Sequence, residues 1–267
     1  MVTEFLDKLP IWGLLLLILV TTFVAIDSGY RLGSRRRDRL TGEETFRVGT
    51  FVIASFSLLA FMVAIVFGAV EFRYSEMKQI ALDEANAISE TFLRADLLTG
   101  ADRAEIRQLL YEYVTLRIEA ARSKNVQKIE QAIDKSEALQ NAMWSRGVTL
   151  ANQQSTPIPV LFVQSLNRVI ELHQTRITIG SYYRMPGIIW ITLFSLVIIT
   201  LIMGGYDSGL YGNRRVIIIT LLSALSFSVV ITLMVSLDRP RQGLSEVTHK
   251  AMLDVQKDIR RSMQSEN

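Results

Sequence analysis

The stretch from Val48 to Ala95 changes solvent without changing secondary structure, and that constrains the chain more than any other feature. Its first part, Val48–Val70, is VGTFVIASFSLLAFMVAIVFGAV, 23 residues with no charge. At 1.5 Å per residue this is long enough to cross a hydrocarbon core of ~30 Å. Its second part, EFRYSEMKQIALDEANAISETFLRA, is charged, lacks proline and is rich in helix formers. The expectation is one continuous helix of roughly 70 Å, half in lipid and half in water. Along the membrane half, Thr50, Ala54, Ser57, Phe61, Ala64 and Gly68 recur at spacings of four and three, which places them on one helical stripe. Small stripes in lipid ordinarily mark close helix packing, because small side chains let backbones approach. The sharper reading is a pore face in a ring of identical subunits, with Phe61 as a narrow, dewettable constriction. The residues leave both readings open.

Three further apolar runs accompany it: Ile11–Ile26, Gly187–Met203 and Val216–Leu237. Trp12, Tyr30 and Trp190 near the ends of two of them suit interfacial anchoring. The fold class is therefore all-α: a polytopic membrane protein with four transmembrane helices and an extramembrane helical bundle inserted between spans two and three. The expected division is 1–70, a first hairpin with spans at about 11–27 and 48–70; 71–185, the extramembrane region; 186–237, a second hairpin; and 238–267, a C-terminal tail.

Charge sets the expected orientation. The loop Arg31–Arg47 carries Arg31, Arg35, Arg36, Arg37, Arg39 and Arg47 against three acids, whereas the 71–185 stretch balances at 14 basic and 14 acidic residues. A juxtamembrane arginine cluster most often records topology and can also meet lipid headgroups. No aromatics interleave with it, which argues against nucleic acid as a partner. The loop and residues 204–215, which hold Arg214 and Arg215, are expected on the cytoplasmic side, with the termini and 71–185 outside. The location implied is a bacterial inner membrane. The start, MVTEFLDKLP, is acidic rather than basic, so Ile11–Ile26 reads as a retained first span and not as a signal peptide.

Within 71–185 the pattern divides into four helices. Met77, Ala81, Ile88, Phe92 and Ala95 line the extension of the organising helix, and LLTGAD ends it, with Gly100 suited to a helix C-terminus and Thr99 to a cap. A second helix presents Ile106, Leu109, Leu110, Tyr113, Leu116 and Ala120. After a break near Ser123–Asn125, a third presents Val126, Ile129, Ile133 and Trp144. Ser145–Pro159, with Gly147 and two prolines, reads as a loop. A fourth helix presents Phe162, Leu166, Val169, His173 and Ile177.

Chemistry is sparse. Zero cysteines exclude disulfides, thiolate catalysis and thiolate metal sites. His173 and Glu171 point apart at i and i+2 on a helix, and His249 stands alone. HExxH, P-loop, GxGxxG and GxSxG motifs are absent. Asp83, Glu84, Glu90 and Asp96 read as a solvated face. The sequence points to no enzyme, no cofactor and no metal. The partners expected are the lipid bilayer, further copies of the chain and ions.

Three segments in order, GTFVIASFSLLAFMVAIVFGAVEFRYSEMKQIALDEANAI, LNRVIELHQTR and SLDRPRQGL, resemble the bestrophin-like domain family of unknown function, four-span membrane proteins of bacteria and plants. The likeness covers about Phe46 to Val247. It implies four spans with a helical region between spans two and three, and an oligomer. Bestrophins proper are pentameric anion channels with apolar rings along the second span, the span that holds Phe61 here. They keep their helical region and termini in the cytosol, whereas the arginine distribution here places them outside. Two functions follow: an oligomeric ion channel for anions with span two lining the axis, or a non-conducting membrane scaffold or envelope-stress sensor acting through its extramembrane helices.

Overall fold

The computed structural model describes residues 9–37, 42–123, 125–181, 185–211, 214–239 and 245–265, all-helical with no strand among them. Eight helices follow in order: α1 (Ile11–Arg36), α2 (Gly42–Ala95), α3 (Gly100–Arg122), α4 (Val126–Gln153), α5 (Ile158–Ser181), α6 (Gly187–Tyr211), α7 (Arg214–Asp238) and α8 (Ser245–Gln264). Four of them, α1, α2, α6 and α7, are long and apolar enough to cross a membrane. The organising stretch is indeed a single helix: α2 runs 54 residues without interruption where Glu71 meets Phe72.

Several boundaries differ from expectation, for physical reasons. The loop Arg31–Arg47 is mostly helix, since α1 continues to Arg36 and α2 begins at Gly42. Residues Gly204–Tyr211, expected as a loop for their glycines, complete α6. Ser145–Gln153 likewise extends α4, and only Gln154–Pro157 separates it from α5. In all three places a polar or glycine-rich run at a helix end keeps its backbone bonds because a neighbouring helix lies against it. Gly100 does mark the break after α2, at φ +66°. Thr99 stands at the N-cap of α3, yet its side chain makes no cap bond. Asn125 is a working cap for α4: its side-chain oxygen accepts from the backbone N–H of Gln127 and Lys128. Arg39 lies outside the described residues, as do the side chains of Val126, Arg214, Arg215, Thr220 and His249.

The chain divides into two compact units. The first joins residues 1–73 to 185–239, and the second joins 74–184 to 240–267. In the first unit, α1 and α6 meet backbone to backbone. A methyl group at Gly29 would overlap the carbonyl oxygen of Ile202 and stand 2.9 Å from the Tyr206 nitrogen; one at Gly33 would overlap the Tyr206 carbonyl oxygen. From the other side, Gly205 and Gly209 sit against the carbonyls of Ile26 and Tyr30. Two glycines four apart on each helix thus interlock. Lipid tails supply no hydrophobic drive for association, so close van der Waals approach of this kind holds spans together. Ascending pairs (Ile26 with Gly205, Tyr30 with Gly209) make the two helices parallel, as a first and third span must be. Leu14, Ile18, Leu59, Val66, Trp190, Leu193, Leu201, Ile231 and Met234 fill the rest of this core. Thr22 and Ser228 bring hydroxyls to 3.5 Å between α1 and α7.

The core of the second unit is built from the end of α2 with α3, α4, α5 and α8. The expected faces of α2, α3 and α5 are buried at Met77, Ala81, Ile88, Phe92, Ala95, Ile106, Leu110, Tyr113, Phe162, Leu166, Val169 and His173. On α4 the expectation misses. Trp144 is exposed and Ile133 only half-buried, while Ala132, Ser136, Gln140, Met143 and Leu150 turn inward. The polar reach across that face is Gln140 Nε2, which donates to the Tyr113 hydroxyl on α3. The expected C-terminal tail is α8, whose Met252 and Ile259 are buried in this core. Gln256 Nε2 donates to Thr115 Oγ1 at 2.7 Å, and Arg107 Nη2 donates to Ser262 Oγ at 2.9 Å.

The glycine seam predicts a sharp asymmetry between two glycines. Gly205→Ala should lower the detergent-solubilised protein's unfolding stability by about 1–3 kcal/mol or more, the range for overpacking. Gly68→Ala, where a methyl would touch nothing within 4 Å, should change it by less than about 0.5 kcal/mol. Thermal unfolding of the two variants side by side decides this.

Candidate functional site

On α2 the six stripe residues Thr50, Ala54, Ser57, Phe61, Ala64 and Gly68 are all exposed, with Phe61 at 62 %. The opposite edge, Val52, Leu59, Val66 and Val70, is buried against the other spans of the unit. The stripe therefore packs against no helix of its own chain. Its hydroxyls are satisfied locally, Thr50 Oγ1 donating to the Phe46 carbonyl at 3.2 Å and Ser57 Oγ to the Ile53 carbonyl at 2.9 Å. The other spans turn bulky apolar residues outward, on α1 Trp12, Leu16, Val20, Phe23 and Val24 and on α7 Leu222, Leu225, Val229 and Leu233. The hydroxyl residues Thr21, Thr192 and Ser226 are exposed on α1, α6 and α7. The stripe on α2 adds a glycine and two alanines to its two hydroxyls and is flanked by exposed Phe51, Ile53, Leu58 and Ile65.

The arginine cluster lies at the end of α1. Arg31 Nε pairs with Asp27 at 2.8 Å one turn back. Arg35 and Arg36 are exposed in the last turn, and Arg37 follows. Cations there favour the negative end of the helix dipole as well as a headgroup layer.

At the far end of the same unit, Asp238 and Arg239 gather chain segments. The Asp238 carboxylate accepts from the Arg73 guanidinium and, at 3.4 Å, from the Met185 N–H. Arg239 Nη1 donates to the Leu9 carbonyl at 2.8 Å. Both residues are almost fully buried.

The second unit contains a polar centre that the sequence reading placed on a solvated face. Glu84 is fully buried. Its Oε1 accepts from the Tyr113 hydroxyl at 3.1 Å and from Arg117 Nε at 3.1 Å, and its Oε2 from Arg176 Nη1 at 2.6 Å. The Tyr113 oxygen is 3.2 Å from His173 Nδ1 and accepts from Gln140 Nε2 at 3.2 Å. Helices α2, α3 and α5 are thereby joined through one carboxylate, and α4 joins them through Tyr113. Burial pushes the Glu84 carboxyl up, but the Arg117 and Arg176 guanidiniums outweigh it and hold it well below the usual carboxylate range. Burial, and after it the Glu84 charge, push the Tyr113 hydroxyl up. For Arg117, burial works against the cation and the Glu84 carboxylate more than compensates. Since the charged Glu84 only accepts and Gln140 donates, the Tyr113 hydroxyl donates to Glu84, and its remaining lone pair accepts a hydrogen bond from His173 Nδ1–H. Glu171 takes no part; it pairs with Arg168 at 2.9 Å on the surface. Glu90 and Asp96 pair with Arg94 and with Arg103 and Arg107. No three metal-binding side chains converge among the described residues. The available signals for this centre were spacings: Glu84 stands in register with the Met77, Ala81 and Ile88 stripe, Tyr113 and Arg117 are four apart on one helix, and His173 and Arg176 are three apart on another.

Glu84→Gln should destabilise the second unit by about 3–5 kcal/mol, because it strands two guanidiniums. In the wild type, the stabilisation is present above an ordinary Glu value of ~4.3 and is lost as pH falls below it, since the folded carboxyl titrates lower. Hydrogen exchange across α3 and α5 between neutral and acid pH should show this loss in the wild type, and Glu84→Gln should show low protection throughout.

A family model described as the Bestrophin-like domain matches residues 16–252. No curated protein and no solved structure matches the chain.

Proposed function

This chain belongs to the bestrophin-like family, and from that premise we propose that it forms a ring of identical subunits conducting ions along an axis lined by α2. One observation carries the reading: the outward face of α2 at Thr50, Ala54, Ser57, Phe61, Ala64 and Gly68 is small and hydroxyl-bearing where the chain's own helices leave it uncovered. A lone helix facing acyl chains gains nothing from such a surface, whereas copies around an axis use it twice, for close approach and for wetting. Phe61 supplies the constriction. Anions are the conducted species, by likeness to bestrophins. The membrane is a bacterial cytoplasmic one, with 31–47 and 204–215 inside and the second unit and termini outside, as the short-loop arginines favour.

In planar bilayers, Phe61→Ala should raise single-channel conductance, and unchanged current would count against a pore at this stripe. Purified protein should run as a cyclic assembly by native mass spectrometry. A monomer or dimer would instead favour the non-conducting scaffold or stress-sensing role of the extramembrane helices. For orientation, Ser123→Cys, the chain's one thiol, should react with an impermeant maleimide on intact spheroplasts. Protection until lysis would invert the topology.

A further inference from the structure

The membrane unit holds α2 unevenly. At one end Arg73, buried to 14 % exposure, grips the Asp238 carboxylate, which also takes the Met185 N–H; Arg239 beside it holds the lead-in to α1 at Leu9. Charge-assisted bonds of this kind fix position and direction together. All three chain crossings between the units, at 73–74, 184–185 and 239–240, adjoin these residues. Further along, α2 is held by side chains that can slide: Phe56 against Phe227 with ring centres 6.1 Å apart, and Ser55 Oγ 3.4 Å from Met203 Sδ. Beyond that contact, toward Val48, a half-open groove of about 320 Å³ lies beside α6, lined by Val48, Phe51, Val52, Ile202, Met203 and Tyr206. The contrast with α1 is direct, because α1 and α6 are interlocked by glycine backbones at that same level.

We propose that α2 is a hinged element, pinned at Arg73–Asp238 and able to tilt at Val48–Val52 into the groove beside α6, while α1 and α6 stay fixed as its frame. Packed interfaces switch between discrete arrangements rather than deform continuously, and a void on one side of a helix is where a second arrangement fits. The pin sets the amplitude: displacement grows from Val70 toward Val48, so Thr50 and Ala54 move most and Gly68 least. If the stripe lines a pore, as proposed above, this tilt changes its bore at the Thr50 end. That consequence rests on the pore reading, but the tilt does not.

The chain's lack of cysteine permits a measurement that ignores conduction. Spin-label pairs are placed in the full-length protein in phosphatidylcholine nanodiscs, diluted with cysteine-free chains so that one labelled chain is read per assembly. Thr50→Cys with Leu32→Cys reports the groove end against the frame; Ala69→Cys with Leu16→Cys reports the pinned end. The distance distribution should be broad or two-peaked for the first pair and narrow for the second. Val52→Phe, which fills the groove, should narrow the first to the width of the second. Asp238→Asn should broaden the second. Equal widths in the unsubstituted background, as when an acyl chain packs the groove permanently, would overturn the hinge, and so would a first pair indifferent to Val52→Phe. Failure here leaves conductance of the Phe61→Ala channel untouched, so the two ideas fall separately.

Discussion

Backbone-to-backbone approach between α1 and α6 is the constraint on which the membrane unit depends. The backbone polar groups of a span are consumed within its own helix, so helices in lipid find one another chiefly by shape, with a few side-chain hydroxyls between them. Glycines at 29, 33, 205 and 209 supply that shape, leaving carbonyls of one helix where the other's side chains would have been. With α1 and α6 so joined, α7 adds the contact of its Ser228 hydroxyl with Thr22, and α2 is left to bring only one edge to the group. Its other edge then remains uncovered by this chain.

In the extramembrane unit a different solution operates, because water supplies the hydrophobic drive that lipid lacks. Apolar layers from five helices close over Glu84, and the carboxylate is tolerable there only because two guanidiniums and a phenol saturate it. The two units thus use opposite chemistry for specificity: the first excludes side chains at its tightest seam, and the second buries charged ones at its centre.

Much of this was legible in the residues. Uninterrupted apolar length announced four spans, and the absence of proline across Glu71–Phe72 announced the single helix α2. Apolar periodicity identified the inward faces of α2, α3 and α5. It failed on α4, where Gln140 faces inward because Tyr113 on another helix takes a hydrogen bond from it, and where small Ala132 and Ser136 share that inward face. Glu84 was misread although it falls in register with the Met77, Ala81 and Ile88 stripe, as Asp83 does not: its charge suggested water, and only Arg117 and Arg176, 33 and 92 positions away, make burial tolerable. The glycines of α6 looked like a loop because glycine usually punctuates. Their four-residue spacing, matched by Gly29 and Gly33, was the overlooked sign of a seam.

Helix α8 carries an implication for how the chain is made. The second unit is discontinuous in sequence, and its core lacks Met252 and Ile259 until α8 leaves the ribosome. During synthesis α3, α4 and α5 emerge with an apolar groove still open, and α6 and α7 are made before α8 can arrive to close it. The order of synthesis therefore puts two spans ahead of the completion of the second unit. Chains that stop short of Ser245 are left with a hydrophobic surface for chaperones and proteases to recognise.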